Sequence, residues 1–231
     1  MSTRAEPSAG TGCLRCGTCC RKGPPGLHRR DAALYQEGVL GRRDLITLRC
    51  GEWVFDNVRG ARFVLEEEMI RIRPGPGGVC PFLQGRRQCR IYESRPAECR
   101  ALQCWDTTGL ERMYCRDRLS RHDLLGPGSA LRAIVDEHER RCPYPRVREL
   151  AEAVLQGRGE APLRELAEMT ETDERFRSYL RERAGADRLS LQFLLGRSLA
   201  ETLPALGVGV EKSPQGVRLL PRPGWAKGDG D

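Results

Sequence analysis

The sequence predicts an α+β fold: a loop-rich cysteine module with a few short strands, followed by a mainly helical second half. Three observations lead there. Ten of the 11 cysteines lie before residue 120; β-forming residues concentrate between Leu45 and Arg73; and beyond Trp105 the apolar residues recur at the helical period. With 231 residues the chain is long enough to bury a sizeable core, so a metal is not needed merely to hold a small domain together.

The elements follow in order. Residues 1–12 are polar and are expected to form a disordered tail. The loop from Cys13 to Cys20 ends at Gly23-Pro24-Pro25-Gly26, which cannot continue a helix. A short helix is expected at about Arg29 to Glu37. Val54, Phe55, Phe63, Val64, Leu65, Ile70 and Ile72 then suit short strands separated by turn signals at Asp56-Asn57 and Arg59-Gly60. Pro74-Gly75-Pro76-Gly77-Gly78 is a turn leading to Cys80, and it lacks the ending of a phosphate loop. These stretches make up the expected cysteine module, residues 13–106.

A helical region packed on it is expected over residues 107–206. Leu131, Ile134, Val135 and His138 share a face; so do Val147, Leu150, Ala151, Val154 and Leu155, and then Leu163, Leu166 and Ala167. Pro143 and Pro145 mark a junction, and Thr170 with Asp173 reads as a helix restart. A further helix pair spans Leu189 to Leu206 with Gly196 inside it. Residues 207–231 are expected to form a C-terminal hairpin and tail, turning at Ser213-Pro214-Gln215-Gly216.

Composition narrows the function. The first residues hold no apolar signal core and no run approaches a membrane span, so the protein is expected in the cytoplasm, where closely spaced thiols are metal ligands or redox groups before they are disulfides. The formal charge is +7, yet of 39 basic residues only Lys22, Lys212 and Lys227 are lysine, and no stretch interleaves aromatic with basic residues as a base-stacking surface does. Two four-thiolate zinc sites, each about −2, would reduce that charge to roughly +3. Arg15, Arg21, Lys22, Arg86, Arg87, Arg90, Arg95 and Arg100 stand within a few residues of a cysteine and can offset thiolate charge. These points argue against a nucleic-acid partner.

The strongest signal is Cys13-Leu-Arg-Cys16-Gly-Thr-Cys19-Cys20. Three cysteines at successive x2 spacings match the opening of the bacterial ferredoxin run, in which a tight loop wraps a cubane, whereas zinc sites more often use separated pairs. The loop therefore leans towards a [4Fe-4S] iron-sulfur cluster, with Zn²⁺ as the alternative. Neighbouring side chains tend to point apart, so Cys19 and Cys20 are expected to serve different centres, or one of them is not a ligand. A second, dispersed group comprises Cys80-Pro81-Phe82-Leu83, Cys89, Cys99 and Cys104. Pro96 suits the first position of a short helix carrying Cys99, with Cys104 following near the same side. Eight thiolates would fill two four-ligand centres.

These residues carry a family resemblance. The Cys-x2-Cys-x2-Cys-Cys start, Cys80-Pro-Phe-Leu, and Cys89-x-Ile-Tyr-Glu-x-Arg-Pro-x-x-Cys99-Arg with Cys104 together resemble the YkgJ-type cysteine-cluster family, a putative zinc- or iron-chelating domain named for its CxxCxxCC motif. The resemblance spans about Cys13 to Trp105. It implies a metal- or iron-sulfur-binding domain whose metal ligands would be Cys13, Cys16, Cys19, Cys20, Cys80, Cys89, Cys99 and Cys104. Flagellin lysine N-methylases are similar in this domain, which makes a protein-modifying enzyme one alternative; an electron-transfer role with a redox or other protein partner is another.

The remaining candidates read as structural. Cys50, Cys115 and Cys142 fall outside the motif, with Cys142-Pro143 marking a helix end. His28, His122 and His138 form no ligand pair, and His138 shares an apolar helix face. Glu66-Glu67-Glu68 reads as a solvated turn. Gly207-Val-Gly-Val lacks the third glycine of a dinucleotide loop.

Overall fold

The computed structural model of the chain describes residues 13–221 other than residues 14, 57–59 and 214–215. The expected tail at residues 1–12, the residues beyond 221 and parts of two expected turns (residues 57–59 and 214–215) lie outside the described residues.

The first half is built of short pieces. Helix α1 (Thr18–Lys22) follows the opening loop, and a 3-10 turn at Arg29–Asp31 runs into α2 (Ala32–Gln36), as the sequence predicts. Strand β1 (Leu45–Leu48) pairs antiparallel with β4 (Met69–Ile72), Leu45 opposite Ile72 and Leu48 opposite Met69. Between them, β2 (Trp53–Asp56) and β3 (Ala61–Val64) form a separate antiparallel hairpin. On the other side of β4, the Leu27 amide donates to the Ile70 carbonyl and the Leu119 amide to the Leu27 carbonyl, so the segment after α1 is held beside β4. Residues 76–78 turn the chain to Cys80, and β5 (Leu83–Gln84) pairs with β6 (Gln88–Cys89) in a small hairpin. Short helices α3 (Ala97–Ala101), α4 (Thr108–Met113) and α5 (Arg121–Leu124) follow.

Longer helices make up the rest: α6 (Ala130–Arg141), α7 (Tyr144–Leu155), α8 (Glu160–Ala184), α9 (Arg188–Leu194) and α10 (Leu199–Thr202). Ser129, Asp187 and Ser198 cap α6, α9 and α10 through side-chain oxygens that accept backbone N–H groups. Pro143 is the N-cap of α7, with Pro145 in its first turn. A hairpin of β7 (Val208–Ser213) with β8 (Gly216–Pro221) is the last of the described elements. The α+β expectation holds, with short antiparallel strands mainly in the first half and helices dominating later. None of the described helices is long and apolar enough to cross a membrane.

Thr170 does not restart a helix. The Thr170 hydroxyl donates to the Leu166 carbonyl one turn back, and Asp173 is fully buried, accepting from Arg177 and the Leu199 amide and bonding His138 at 2.8 Å. Both polar side chains are satisfied inside one continuous α8, so neither is available to cap a new helix.

Two large apolar clusters hold the fold, beside a small one of Leu48, Leu65 and Met69 under the β2–β3 hairpin residues Val54 and Phe63. One joins Leu27, Leu45, Ile70, Ile72, Phe82 and Leu119 from the first half to Val135, Leu180 and Phe193 from the helices, and Cys20, Cys80 and Cys89 belong to it. The other packs Val147, Leu150, Leu166, Met169, Leu199 and Leu203 against Val208 and Leu219 of the last hairpin, with Cys142 at its centre. A buried ion network links the halves: Arg49 and Arg121 both bind Glu139, and Arg121 also binds Glu68. Glu68 is therefore a network member rather than part of a solvated turn.

Candidate metal centre

The opening loop is bent by two residues with positive φ. Arg15 has φ 52°, which costs a residue bearing a Cβ about 1–2 kcal/mol. In that conformation its amide donates to the Cys13 sulfur at 3.4 Å, an N–H aimed at a thiol of the kind that surrounds thiolate ligands. Gly17 has φ 73°, and a Cβ there would lie 2.5 Å from the Arg86 carbonyl oxygen. The glycine thus serves both the turn and a close backbone approach to the β5–β6 hairpin. The Arg21 guanidinium secures that approach, donating to the carbonyls of Arg86 (3.0 Å) and Cys16 (2.9 Å). The Cys16 sulfur lies 3.2 Å from the Thr18 hydroxyl, and hydrogen bonds that the Thr18 hydroxyl and backbone amide can donate to the Cys16 thiolate lower its pKa.

Helix α1 presents Cys19 and Cys20 with their sulfurs 4.0 Å apart. The expected divergence of these neighbours does not occur, because successive residues of a helix are separated by only about 100°. For comparison, two thiolates on one tetrahedral ion with bonds of about 2.3 Å stand roughly 3.8 Å apart.

The dispersed cysteines are brought to the loop by contacts distant in sequence. The Cys80 amide donates to the Cys20 carbonyl at 2.8 Å, and the Arg90 amide to the Phe82 carbonyl at 2.8 Å. Cys89 sits on β6 opposite Leu83. Tyr92 receives the guanidinium carbons of Arg15 at 3.8 Å and Arg95 at 3.7 Å from its ring centroid. Two guanidinium groups that close would collide on one face, so they lie on opposite faces and tie Arg15 to the second segment.

Helix α3 carries Cys99 and is anchored at its N-terminus, where the Ala97 amide donates to Asp31 at 2.9 Å. Glu98, buried beside Cys99, accepts from the Gly26 amide at 2.8 Å and lies 3.2 Å from His28 Nε2. His28 in turn meets the Arg116 carbonyl through Nδ1. Pro96 takes the N-cap, one position before that expected. Cys104 follows in the turn closed by the Gln103–Asp106 bridge, beside the exposed Trp105. Asp31 and Glu98 were not singled out from sequence, and His28 was read there only as structural; the available signal for Glu98 was its position beside Cys99.

The outcome is one cavity of about 280 Å³ lined by Cys13, Cys16, Cys19, Cys20, Cys80, Cys89, Cys99 and Cys104. All 11 cysteines are free thiols, so the convergence does not come from disulfides. Cys50, Cys115 and Cys142 do not line the cavity: Cys50 donates to the Glu66 carbonyl, Cys115 is exposed, and Cys142 is buried in the second apolar cluster. His138 is likewise remote, packed edge-on against Phe176 and bonded to Asp173.

Burial grades across the cavity. Cys13 and Cys104 are exposed and Cys80 is buried, with apolar walls from Ile72, Phe82, Ile91 and Leu102. Burial pushes the Cys20 thiol up to about 12, with Cys19 adding to the effect. It also raises Cys80 and Cys104, and raises Cys99 strongly. The electrostatic neighbours differ: Cys20 and Cys99 feel Cys80, Cys89 and Cys19, while Cys104 feels Cys19, Cys16 and Cys13. Thiols crowded in an apolar cavity resist ionising beside one another, and a bound cation reverses this by stabilising each thiolate. The donor set therefore suits a thiophilic metal or an iron-sulfur cluster. Among the described residues, no three His, Cys, Asp or Glu side chains are gathered as closely as the ligands of a single ion, so ligation would draw the sulfurs inward.

Comparison with known proteins agrees with the geometry. Residues 12–116 match the family model described as CxxCxxCC: Putative zinc- or iron-chelating domain, a span that contains all eight lining cysteines. No curated protein and no solved structure matches the chain. The chain is thus similar to the CxxCxxCC family over residues 12–116, a little under half of its 231 residues.

Proposed function

We propose that this is a metal-binding protein whose eight cavity cysteines hold two inorganic centres, with [4Fe-4S] favoured for the opening loop and Zn²⁺ the alternative. The observation that carries the reading is the convergence of thiols from the opening loop, Cys80, Cys89, α3 and the turn after it on one cavity. The burial gradient, from exposed Cys13 and Cys104 to buried Cys80 against the apolar walls, supports a division of ligands. Cys13, Cys16 and Cys19 with Cys104 would form an outer centre, completing the x2-x2 loop with a remote fourth thiolate as ferredoxin-type sites do. Cys20, Cys80, Cys89 and Cys99 would form an inner centre against the apolar core.

On this division Cys19 and Cys20 serve different centres, and their 4.0 Å separation makes the two sites adjacent. When bound, such centres supply folding energy and, if iron-sulfur, an electron-accepting group. Anaerobic purification followed by metal and acid-labile sulfide analysis tests the proposal. A brown protein with iron and sulfide supports the cluster, stoichiometric zinc in a colourless protein supports the alternative, and a folded protein retaining neither metal refutes both.

A further inference from the structure

A second cavity, of about 510 Å³, adjoins the first. It is lined by Cys16, Thr18, Arg21, Arg86 and Arg87, and no acidic side chain lines it. Cys16 and Arg87 line the cysteine cavity as well, so the two spaces meet at those residues.

The arginines here differ from others near the cysteines. Arg15 and Arg95 are stacked on Tyr92, Arg90 lies over Phe82, and Arg100 donates to the carbonyls of Arg95 and Glu93. Arg21 clamps the β5–β6 turn to the Cys16 loop. Arg86 and Arg87 occupy that clamped turn, and neither guanidinium makes an ion pair, ring contact or side-chain hydrogen bond among the described residues. Gly17 permits the close approach that fixes the turn in place. The chain thus holds two unpaired guanidinium groups beside a cysteine of the proposed outer centre.

We infer that this cavity binds the phosphate or carboxylate group of a small molecule, with the rest of that molecule directed past Cys16 towards the cysteine cavity. Guanidinium groups offer planar, forked donors matched to these oxyanions. The volume falls in the range of small-molecule pockets, about 300–1,000 Å³, and exceeds what a lone phosphate needs. General neutralisation of thiolate charge would be met by any nearby arginine and would require neither a cavity nor a clamped turn. The inference rests on the metal-centre reading only for what lies beyond Cys16.

The test uses the full chain as purified, with metal content measured on the same sample. Inorganic phosphate and acetate are titrated calorimetrically against a chloride background of constant ionic strength. Saturable binding of one or both is expected, and their relative affinities distinguish a phosphate-selective from a carboxylate-selective pocket. R86Q/R87Q should weaken that binding by about tenfold or more with metal content unchanged, as expected for loss of charged hydrogen bonds. R90Q should leave it within about twofold, because Arg90 is stacked elsewhere. Should the glutamine pair lose metal or fold, R86K/R87K takes its place, keeping both charges but not the fork, and a severalfold loss is expected. Binding indistinguishable from chloride, no change in the paired variants, or an equal loss in R90Q overturns the inference. Absence of metal from the wild-type sample refutes the metal centre instead and leaves the anion titration readable.

Discussion

Replacing Gly17 with alanine should damage the site through one backbone contact, and its cost can be worked out against an internal control. Gly17 and Gly38 have nearly equal φ values, 73° and 75°. A Cβ at Gly38 would meet nothing within 4 Å, whereas at Gly17 it would lie 2.5 Å from the Arg86 oxygen and 2.9 Å from Arg21 Nη1. G38A should therefore cost only the conformational term, about 1–2 kcal/mol. G17A carries the same term, and the clash is with a carbonyl that cannot rotate away. The β5–β6 turn must retreat, stretching the charged hydrogen bond from Arg21 to Arg86, a bond of a kind that contributes about 1.5–3 kcal/mol. A total near 3–4 kcal/mol is expected for G17A, obtained from urea unfolding followed by circular dichroism, together with reduced metal content. If the two variants are destabilised equally, within about 0.5 kcal/mol, the close approach has no energetic role and the argument for the clamped turn fails.

Other substitutions probe separate links. E98A removes the acceptor for the Gly26 amide and the partner of His28; it should cost about 2–4 kcal/mol and lower metal retention, measured by unfolding and metal analysis, while E98Q should lose less of both. C142A should leave metal content unchanged and cost about 1 kcal/mol, whereas C89S should reduce bound metal; equal metal loss in the two would contradict the ligand set. Burial alone would raise the Glu139 carboxyl, but Arg49 and Arg121 outweigh it and hold it at about 2, and Asp173 is likewise depressed by His138 and Arg177 against its own burial. Both carboxylates have folded-state values below their unfolded ones, so their stabilisation is present above about pH 4 and is lost as pH falls towards 2. Urea midpoints at pH 7, 5 and 3 should show the loss concentrated in the lowest interval; a flat profile would contradict it.

Much of the architecture was legible because it is written in local patterns. The β-formers from Val54 to Ile72 became strands except Leu65, which follows β3, the 3.6-residue stripes became α6 to α8, and Cys142-Pro143 marks the end of a helix. Errors arose where a side chain found a partner that sequence does not place. Thr170 and Asp173 resemble a cap until His138, Arg177 and the Leu199 amide are seen to occupy Asp173. Glu68 resembles a solvated acid until Arg121, 53 positions away, is found against it. At the candidate site, spacing identified all eight cysteines that line the cavity, because thiols clustered at short, fixed intervals are rarely mere packing groups. It could not show how they are brought together. That depends on Cys20 with Cys80, Arg21 with Arg86, Gly26 with Glu98, and Arg15 with Tyr92, contacts spanning 60 to 77 positions for which no periodicity exists.

X-ray absorption at the metal edge of the anaerobically purified chain bears most directly on the convergence of these thiols. Scattering dominated by sulfur at about 2.3 Å, weakened in C20S and in C99S alike, is the expected result, since the two cysteines come from α1 and α3 yet line one cavity. A first shell of oxygen or nitrogen, or a sulfur shell indifferent to both substitutions, would contradict it.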